Sequence, residues 1–309
     1  MNSSRNEVEI RVVPKDQRAE ALWLLFGWEP ERLRRDRLVA CIEASRADLT
    51  AFQFLFEAVQ GKDRLGTVWG HVVPGRVANV WPPVCLPDSG QHVSDALQQT
   101  LDKHLATAGV VCGQSLLPIY AENAALCLLR NGYCHAARLL FLACDKAHLP
   151  SQPPSSELEF EPFQWNQRIR LEKLIEETYS GSLDAPLLNG IRTTADVVNG
   201  YRLAGDHVPE RWFFVRQQHR DVGCLLLTEH RQSGQWEVIY MGVIPSTRRR
   251  GWGEVITRYA QWLTRQAGRD VILLGVDEAN HPAITAYSRC GFYELDRRLV
   301  LIKQLGDSS

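Results

Sequence analysis

Residues 235–267 read QWEVIYMGVIPSTRRRGWGEVITRYAQWLTRQA. The run from Trp236 to Val243 is rich in Val, Ile and Tyr, which favour a strand, and it stops at Pro245, which cannot donate to a ladder. Past Arg248, Gly251 and Gly253, the residues Val255, Ile256, Tyr259, Ala260 and Leu263 recur at helical spacing, and Gly268 supplies a stop. The pattern predicts a strand, a glycine-rich turn and a helix. Amides in the first turn of a helix lack internal acceptors, and the helix dipole adds partial positive charge there. Glycine lets a ligand approach that backbone, so the turn suits a phosphate or pyrophosphate.

The turn is neither GxxxxGK[ST] nor GxGxxG, which argues against a nucleotide P-loop or a dinucleotide fingerprint. Val243-x-Pro245-x-x-Arg248-x-x-Gly251-x-Gly253 instead resembles the acetyl-CoA signature of the GNAT N-acetyltransferases. A second block, Leu273-Leu274-Gly275-Val276 followed by Asn280, Ala283, Ile284, Tyr287 and Gly291-Phe292, is similar to that family's last strand, helix and "GF" turn. Together the blocks span roughly the last 75 residues, by ordinary strand and helix lengths.

The whole chain sets bounds. At 309 residues it has room for one large domain or two ordinary ones. A formal net charge of −1 argues against a general binder of nucleic acid or membrane surface. There is no long apolar run, and the opening MNSSRNEVEIRVVPKD lacks an apolar h-region, so neither a membrane span nor a secretory signal is expected. The cysteines at 41, 85, 112, 127, 134, 144, 224 and 290 form no C-x-x-C, and no His/Cys cluster has zinc spacing. Reduced thiols, a cytoplasmic setting and no metal are the expectation.

Element order repeats on either side of residues 148–156, a Pro- and Ser-rich stretch that reads as a linker. Each side gives a strand, two helices, strands, a helix, a strand, a helix and a closing strand. A shift of 159 residues places Gly109 on Gly268, Gly132 on Gly291, Ala124 on Ala283 and Arg138 on Arg297. The same shift sets Ser89, His92 and Ser94 against Arg248, Gly251 and Gly253, Ala78 against Glu237, and Leu128 against Tyr287. The expectation is an α+β chain of two tandem GNAT-like domains, each a mixed, mostly antiparallel sheet flanked by helices. Residues 1–147 form a degenerate copy and 157–309 the catalytic one. This tandem arrangement and the Glu237–Val243 strand resemble the mycothiol synthases, without establishing their chemistry.

The resemblance implies acetyl-CoA as donor, direct transfer in a ternary complex and no covalent acyl-enzyme. It implies that Arg248, Arg249, Arg250, Gly251, Trp252, Gly253 and Glu254 hold the cofactor's phosphates. Backbone groups of Met241, Gly242 and Val243, on a strand splayed from its neighbour, and the helix face of Asn280 and Ala283, hold its arm. Glu237 is the implied base, acting through water. Clean alternation would put it on one face with Ile239, Met241 and Val243, an apolar setting able to raise a carboxyl pKa; an exposed strand-end glutamate is the other reading. Tyr287 is the candidate acid, since a phenol of pKa ~10 keeps its proton at neutral pH; a core aromatic facing the sheet is the alternative. Arg248–Arg250 form too short a basic run for nucleic acid. His281 reads as a solvated helix start and Cys290 as packing. The polar stretch 180–194 is expected to border an acceptor pocket, and its Asp184 suits a cationic acceptor; a solvated loop acid is the other reading. A small-molecule amine is the favoured acceptor. A protein N-terminus or lysine, or a non-catalytic acyl-CoA-binding module, are the alternatives.

Overall fold

The computed structural model describes residues 7–47, 50–205, 209–230 and 233–306. In chain order the elements are β1 (Glu9–Val12), α1 (Arg18–Leu25), α2 (Glu31–Ala47), β2 (Leu55–Gln60), β3 (Asp63–Val73), β4 (Val77–Cys85), α3 (Gln91–Thr107), β5 (Cys112–Pro118), α4 (Glu122–Arg130) and β6 (Cys134–Asp145). There follow β7 (Glu159–Pro162), α5 (Arg168–Tyr179), α6 (Thr194–Arg202), β8 (Trp212–Gln217), β9 (Arg220–His230), β10 (Gln235–Val243), α7 (Trp252–Gln266), β11 (Val271–Asp277), α8 (His281–Arg289) and β12 (Tyr293–Gln304). Among the described residues no helix is long and apolar enough to cross a membrane.

The chain forms two compact units, but they do not divide at residues 148–156. One unit runs to His135 and takes in the chain from Leu299; the other is Ala136–Arg298. The reason is an exchange of closing strands. In the second unit β6 pairs antiparallel with β11 over seven positions, from Asp145↔Val271 to Leu139↔Asp277. Its Leu140, Leu142 and Cys144 sit in one core with Ile256, Ala260, Ile272 and Leu274. In the first unit the end of β12 lies beside β5. There Leu301 is buried with Leu97, Leu101 and Leu105, and Lys303 donates to Asp102 at 2.8 Å. The expected linker is tied to the second unit: Leu149 is buried, and Arg265 donates to its carbonyl at 2.7 Å.

Each unit has a mixed, mostly antiparallel sheet. In the first, β1 through β4 pair antiparallel in sequence and β4 pairs parallel with β5. In the second, β7 through β10 do the same and β10 pairs parallel with β11. Two apolar layers cover the second sheet. Trp252, Ile256 and Ala260 of α7 and Tyr287 of α8 lie in one; Leu171, Leu174 and Ile175 of α5 and Val198 of α6 lie in the other.

The shift of 159 holds at the helix stops. Gly109 and Gly268 are both left-handed at φ 81° and 68°, as are Gly132 and Gly291 at φ 85°. It fails at the turn before the long helix. Gly90, at φ 76° and immediately before α3, stands in the role of Gly251, at φ 77° and immediately before α7. His92, not Ser94, is therefore the counterpart of Gly253, and the first unit's turn is shorter between its proline and its glycine.

Candidate active site

β10 and β11 run side by side only through Trp236↔Ile272, Glu237↔Leu273 and Val238↔Leu274. Both strands continue, to Val243 and Asp277, but apart. The cause lies on the other edge of β10, where the ladder to β9 skips a residue between Val238 and Tyr240. This bulge at Ile239 bends the strand and resets its faces. Trp236, Val238, Met241 and Val243 pack toward α7 and α8, whereas Ile239 and Tyr240 pack toward α5 and α6. Clean alternation, which would have kept Glu237 on one face with Met241 and Val243, does not occur.

The splay opens onto a cavity of about 220 Å³ lined by Met241, Gly242, Val243, Arg248, Asn280, Ala283 and Tyr287. Gly181, Ser182, Leu183 and Asp184 line it from the connection between α5 and α6, with Thr178, Tyr179 and Tyr240 beside them. Gly242 is glycine because of packing: a Cβ there would stand 2.8 Å from the Cβ of Thr178, in the last turn of α5. Thr178 Oγ1 in turn lies 2.6 Å from the Tyr240 hydroxyl.

Tyr287 is 7% exposed, and its phenol has no hydrogen-bond partner among the described residues. Burial, reinforced by the charge of Asp184, pushes its pKa well above the ordinary value, so the proton stays on. Asp184 accepts the Asp277 amide at 2.7 Å, and Asp277 reciprocates by accepting the Ala185 amide at 3.0 Å. The surrounding protein and the Asp277 carboxylate raise the Asp184 pKa, against the lowering effect of that amide. Asn280 caps α8, accepting the Ala283 amide at 3.4 Å.

The residues of the glycine turn divide. Arg248 does not face outward for phosphate: it donates to the carbonyls of Val243 at 3.1 Å, Gly181 at 3.0 Å and Thr178 at 2.7 Å. It clasps the α5 terminus to the end of β10. Arg249 and Arg250 are exposed, Arg249 in a left-handed conformation at φ 65°. The Trp252 side chain is core, at 5% exposure. The Glu254 amide donates to Gly251 O at 3.1 Å, and its carboxylate meets Arg258 at 3.2 Å. The amides of Gly251, Trp252 and Gly253 have no acceptor among the described residues. A Cβ built on Gly251 or Gly253 would meet nothing within 4 Å, leaving an open cradle at the helix start.

Glu237 is not part of the cavity lining. It sits on the paired segment of β10, and its Oε2 lies 2.6 Å from His230 Nε2. His281 is exposed, as expected of a solvated helix start. Cys290 is buried, and that burial pushes its thiol up to about 11, so it packs rather than reacts at neutral pH. Tyr179, Tyr240 and Thr178 escaped the sequence reading; their signal is a helix end and a strand that meet only in the fold.

Residues 183–292 match the Acetyltransferase (GNAT) family. No curated protein matches the chain. Among solved structures, a GCN5-related N-acetyltransferase from Sphaerobacter thermophilus is similar, with 17% identity and a TM-score of 0.60 over 98% of this chain and 97% of that one. A tandem GNAT protein from the clavulanic acid biosynthesis pathway aligns with 12% identity and a TM-score of 0.56, covering 98% of this chain and 100% of its own. The glucosamine N-acetyltransferase region of a fungal multi-domain GH3 β-N-acetylglucosaminidase aligns at 16% identity and a TM-score of 0.62, over 96% of this chain and 38% of that one. The chain carries a domain of the GNAT acetyltransferase family, and its fold is that of tandem GNAT proteins. That family's domain serves acetyl transfer from acyl-CoA.

Proposed function

We propose that the second unit moves an acetyl group from acetyl-CoA to an amine of a small molecule, within a ternary complex. The observation that carries this reading is the splay of β10 from β11 onto a cavity whose lining includes the largely buried Tyr287 phenol. The cavity's modest volume favours a small acceptor over a polypeptide.

The residues fit the donor's chemistry. The open amides at Gly251, Trp252 and Gly253 suit pyrophosphate, and the exposed Arg249 and Arg250 add charge beside them. The splayed edge of β10 at Met241–Val243 offers backbone groups to the arm and the thioester oxygen, with Asn280 and Ala283 opposite. Donors aimed at the oxygen that gains charge lower the barrier. Glu237, oriented by His230, takes the amine's proton through water, because a protonated amine has no lone pair to attack with. Tyr287, which keeps its proton, donates a hydrogen bond that stabilises the leaving thiolate. The first unit acts as scaffold.

A screen of amines with acetyl-CoA, following free thiol, tests the reading. Thiol release that depends on an amine and falls in Tyr287→Phe supports it. Release that needs no amine, or that Tyr287→Phe leaves unchanged, overturns it. Calorimetric titration should give one CoA per chain; two equivalent sites would make the first unit a second binding domain.

A further inference from the structure

We infer that the first unit, beyond serving as scaffold, has a binding site of its own for an uncharged, flat aromatic molecule with an amide edge, of nicotinamide or nucleobase size. β4 and β5 pair through Val77↔Cys112, Ala78↔Gly113 and Asn79↔Gln114, and no further. At the end of that pairing lies a cavity of about 190 Å³ lined by Trp28, Arg37, Asn79, Trp81, Gln114 and Leu116, among others. It is not a second phosphate cradle. A Cβ on Gly90 would meet the His92 ring at 2.9 Å, so the start of α3 is filled.

The lining sets the guest's chemistry. Trp81 is held by Trp69, stacked on it at 4.2 Å, so its indole is a fixed wall. Trp28 shares the cavity and makes no ring contact among the described residues. Two indoles on one small cavity, not stacked on each other, favour a flat aromatic guest. The charge is already spent: Arg37 is gripped by both oxygens of the buried Glu29, at 2.9 and 2.7 Å, and the pair is neutral as a unit. The polar groups left over are amides. Gln114 Nε2 donates to Asn79 Oδ1 at 2.8 Å, which leaves Gln114 Oε1 and Asn79 Nδ2 without partners among the described residues. One free acceptor beside one free donor matches the N–H and C=O of a carboxamide or lactam. Turning both amides over exchanges the two roles and keeps the match. The rim agrees. Leu116 lines the cavity, Ile119 and Tyr120 follow it, and all three are exposed. The shift of 159, which carries β5 onto β11, puts Gly275, Glu278 and Ala279 at these positions in the second unit. Apolar surface kept in water at the mouth of a cavity marks a place where a ligand binds.

The test is an NMR titration of the full chain with nicotinamide, nicotinate and pyridine, with and without saturating CoA, in the wild type and in Gln114→Leu. The three probes share a ring and differ in the amide and the charge. The wild type should bind nicotinamide about tenfold tighter than pyridine, as expected of net hydrogen bonding at the amide edge. Nicotinate should bind no better than pyridine, because Arg37 is already paired. Saturating CoA should leave the nicotinamide affinity unchanged, since the glycine turn proposed for CoA lies in the other unit. Gln114→Leu should bring nicotinamide down to the level of pyridine, with cooperative melting and CoA affinity retained. The order of the three probes in the wild type needs no variant. No binding of any probe, equal affinities, a preference for nicotinate, displacement by CoA, or a preference for nicotinamide that survives Gln114→Leu would each overturn the inference. Success or failure of amine acetylation bears on the second unit alone and leaves this result as it stands.

Discussion

The two units build the same strand–turn–helix and use it differently. β4 and β10 each lead into a short turn opening on proline, Pro87–Ser89 and Pro245–Thr247, and each turn ends in a left-handed glycine. Both strands also splay from their parallel neighbour after three paired positions, β4 from β5 beyond Asn79↔Gln114. In the first unit side chains bridge the two strands, Ser115 Oγ donating to Val80 O at 2.7 Å and Gln114 Nε2 to Asn79 Oδ1 at 2.8 Å, and the splay opens on a cavity of about 190 Å³ lined by Trp28, Arg37 and Trp81. Its turn lacks the Arg248–Arg250 insert. A Cβ on Gly90 would meet the His92 ring at 2.9 Å, so the ground left open at Gly251 is occupied here. Leu128, fully buried, stands where the second unit has Tyr287. The connection between the first two helices is residues 26–30 in one unit and 180–193, with Asp184, in the other. The splay therefore belongs to the fold. What distinguishes the proposed site is an insert, a bare helix start, a long connection and one phenol.

The largest effect should come from dividing the chain. Residues 157–309 lack β6, so β11 loses seven paired positions and the core loses Leu140 and Leu142. Each buried leucine is worth about 2 kcal/mol, against a total stability of roughly 5–15 kcal/mol. That fragment should not melt cooperatively, whereas residues 136–298, the compact unit, should. Cooperative melting of 157–309 near the full chain's midpoint would show that the exchanged strand is dispensable.

Next is the helix start. Gly253→Val puts a branched side chain into the open cradle and should weaken CoA binding about 100-fold, ~2.7 kcal/mol. Stability of the free protein should barely change, since the new Cβ meets nothing and valine is no worse than glycine in a helix. His92→Val, its counterpart in the first unit, should leave CoA affinity untouched. Normal CoA binding by Gly253→Val would remove the glycine turn from the site. Gly242→Ala is smaller and opposite in kind. Its Cβ would crowd Thr178 at 2.8 Å, costing about 1–3 kcal/mol of stability by denaturant melt.

Local chemistry was legible in the sequence, and distant partners were not. Gly251, Gly268 and Gly291 could be read because left-handed backbone asks for glycine wherever it occurs. Arg248 could not: its acceptors at Thr178 and Gly181 lie about 70 residues away and meet it only in the fold. Trp252 sits inside the signature, yet its side chain follows the apolar stripe of α7 into the core. The bulge at Ile239 carries no glycine or proline to announce it, so the face of Glu237 was misjudged. β6 and β12 have ordinary strand patterns, and nothing in such a pattern says which unit a strand closes. Asp184 read as a solvated loop acid as readily as a ligand group, and its exchange of amides with Asp277 shows only in the fold.

The smallest effect tests that hold. Ala185 is a non-glycine residue in left-handed backbone, which costs an L-residue roughly 1–2 kcal/mol. It stays there because its amide is taken by Asp277 and the neighbouring Asp184 takes the Asp277 amide. The short 26–30 connection of the first unit has no positive-φ alanine and no such clamp. Ala185→Gly relieves the strain but gives the unfolded chain more freedom, which offsets part of the gain. The expected outcome is stabilisation of about 0.5–1 kcal/mol, a rise in melting midpoint of a few degrees at most. CoA affinity should be unchanged, because Ala185 lies outside the glycine turn. In Asp277→Asn the clamp keeps an oxygen for the Ala185 amide, so the gain from Ala185→Gly should persist. In Asp277→Ala the loop is released, the alanine can relax, and the gain should vanish. A stabilisation that is the same in both backgrounds would mean the strain is set by the loop itself, and the carboxylate pair would lose its role in fixing Asp184.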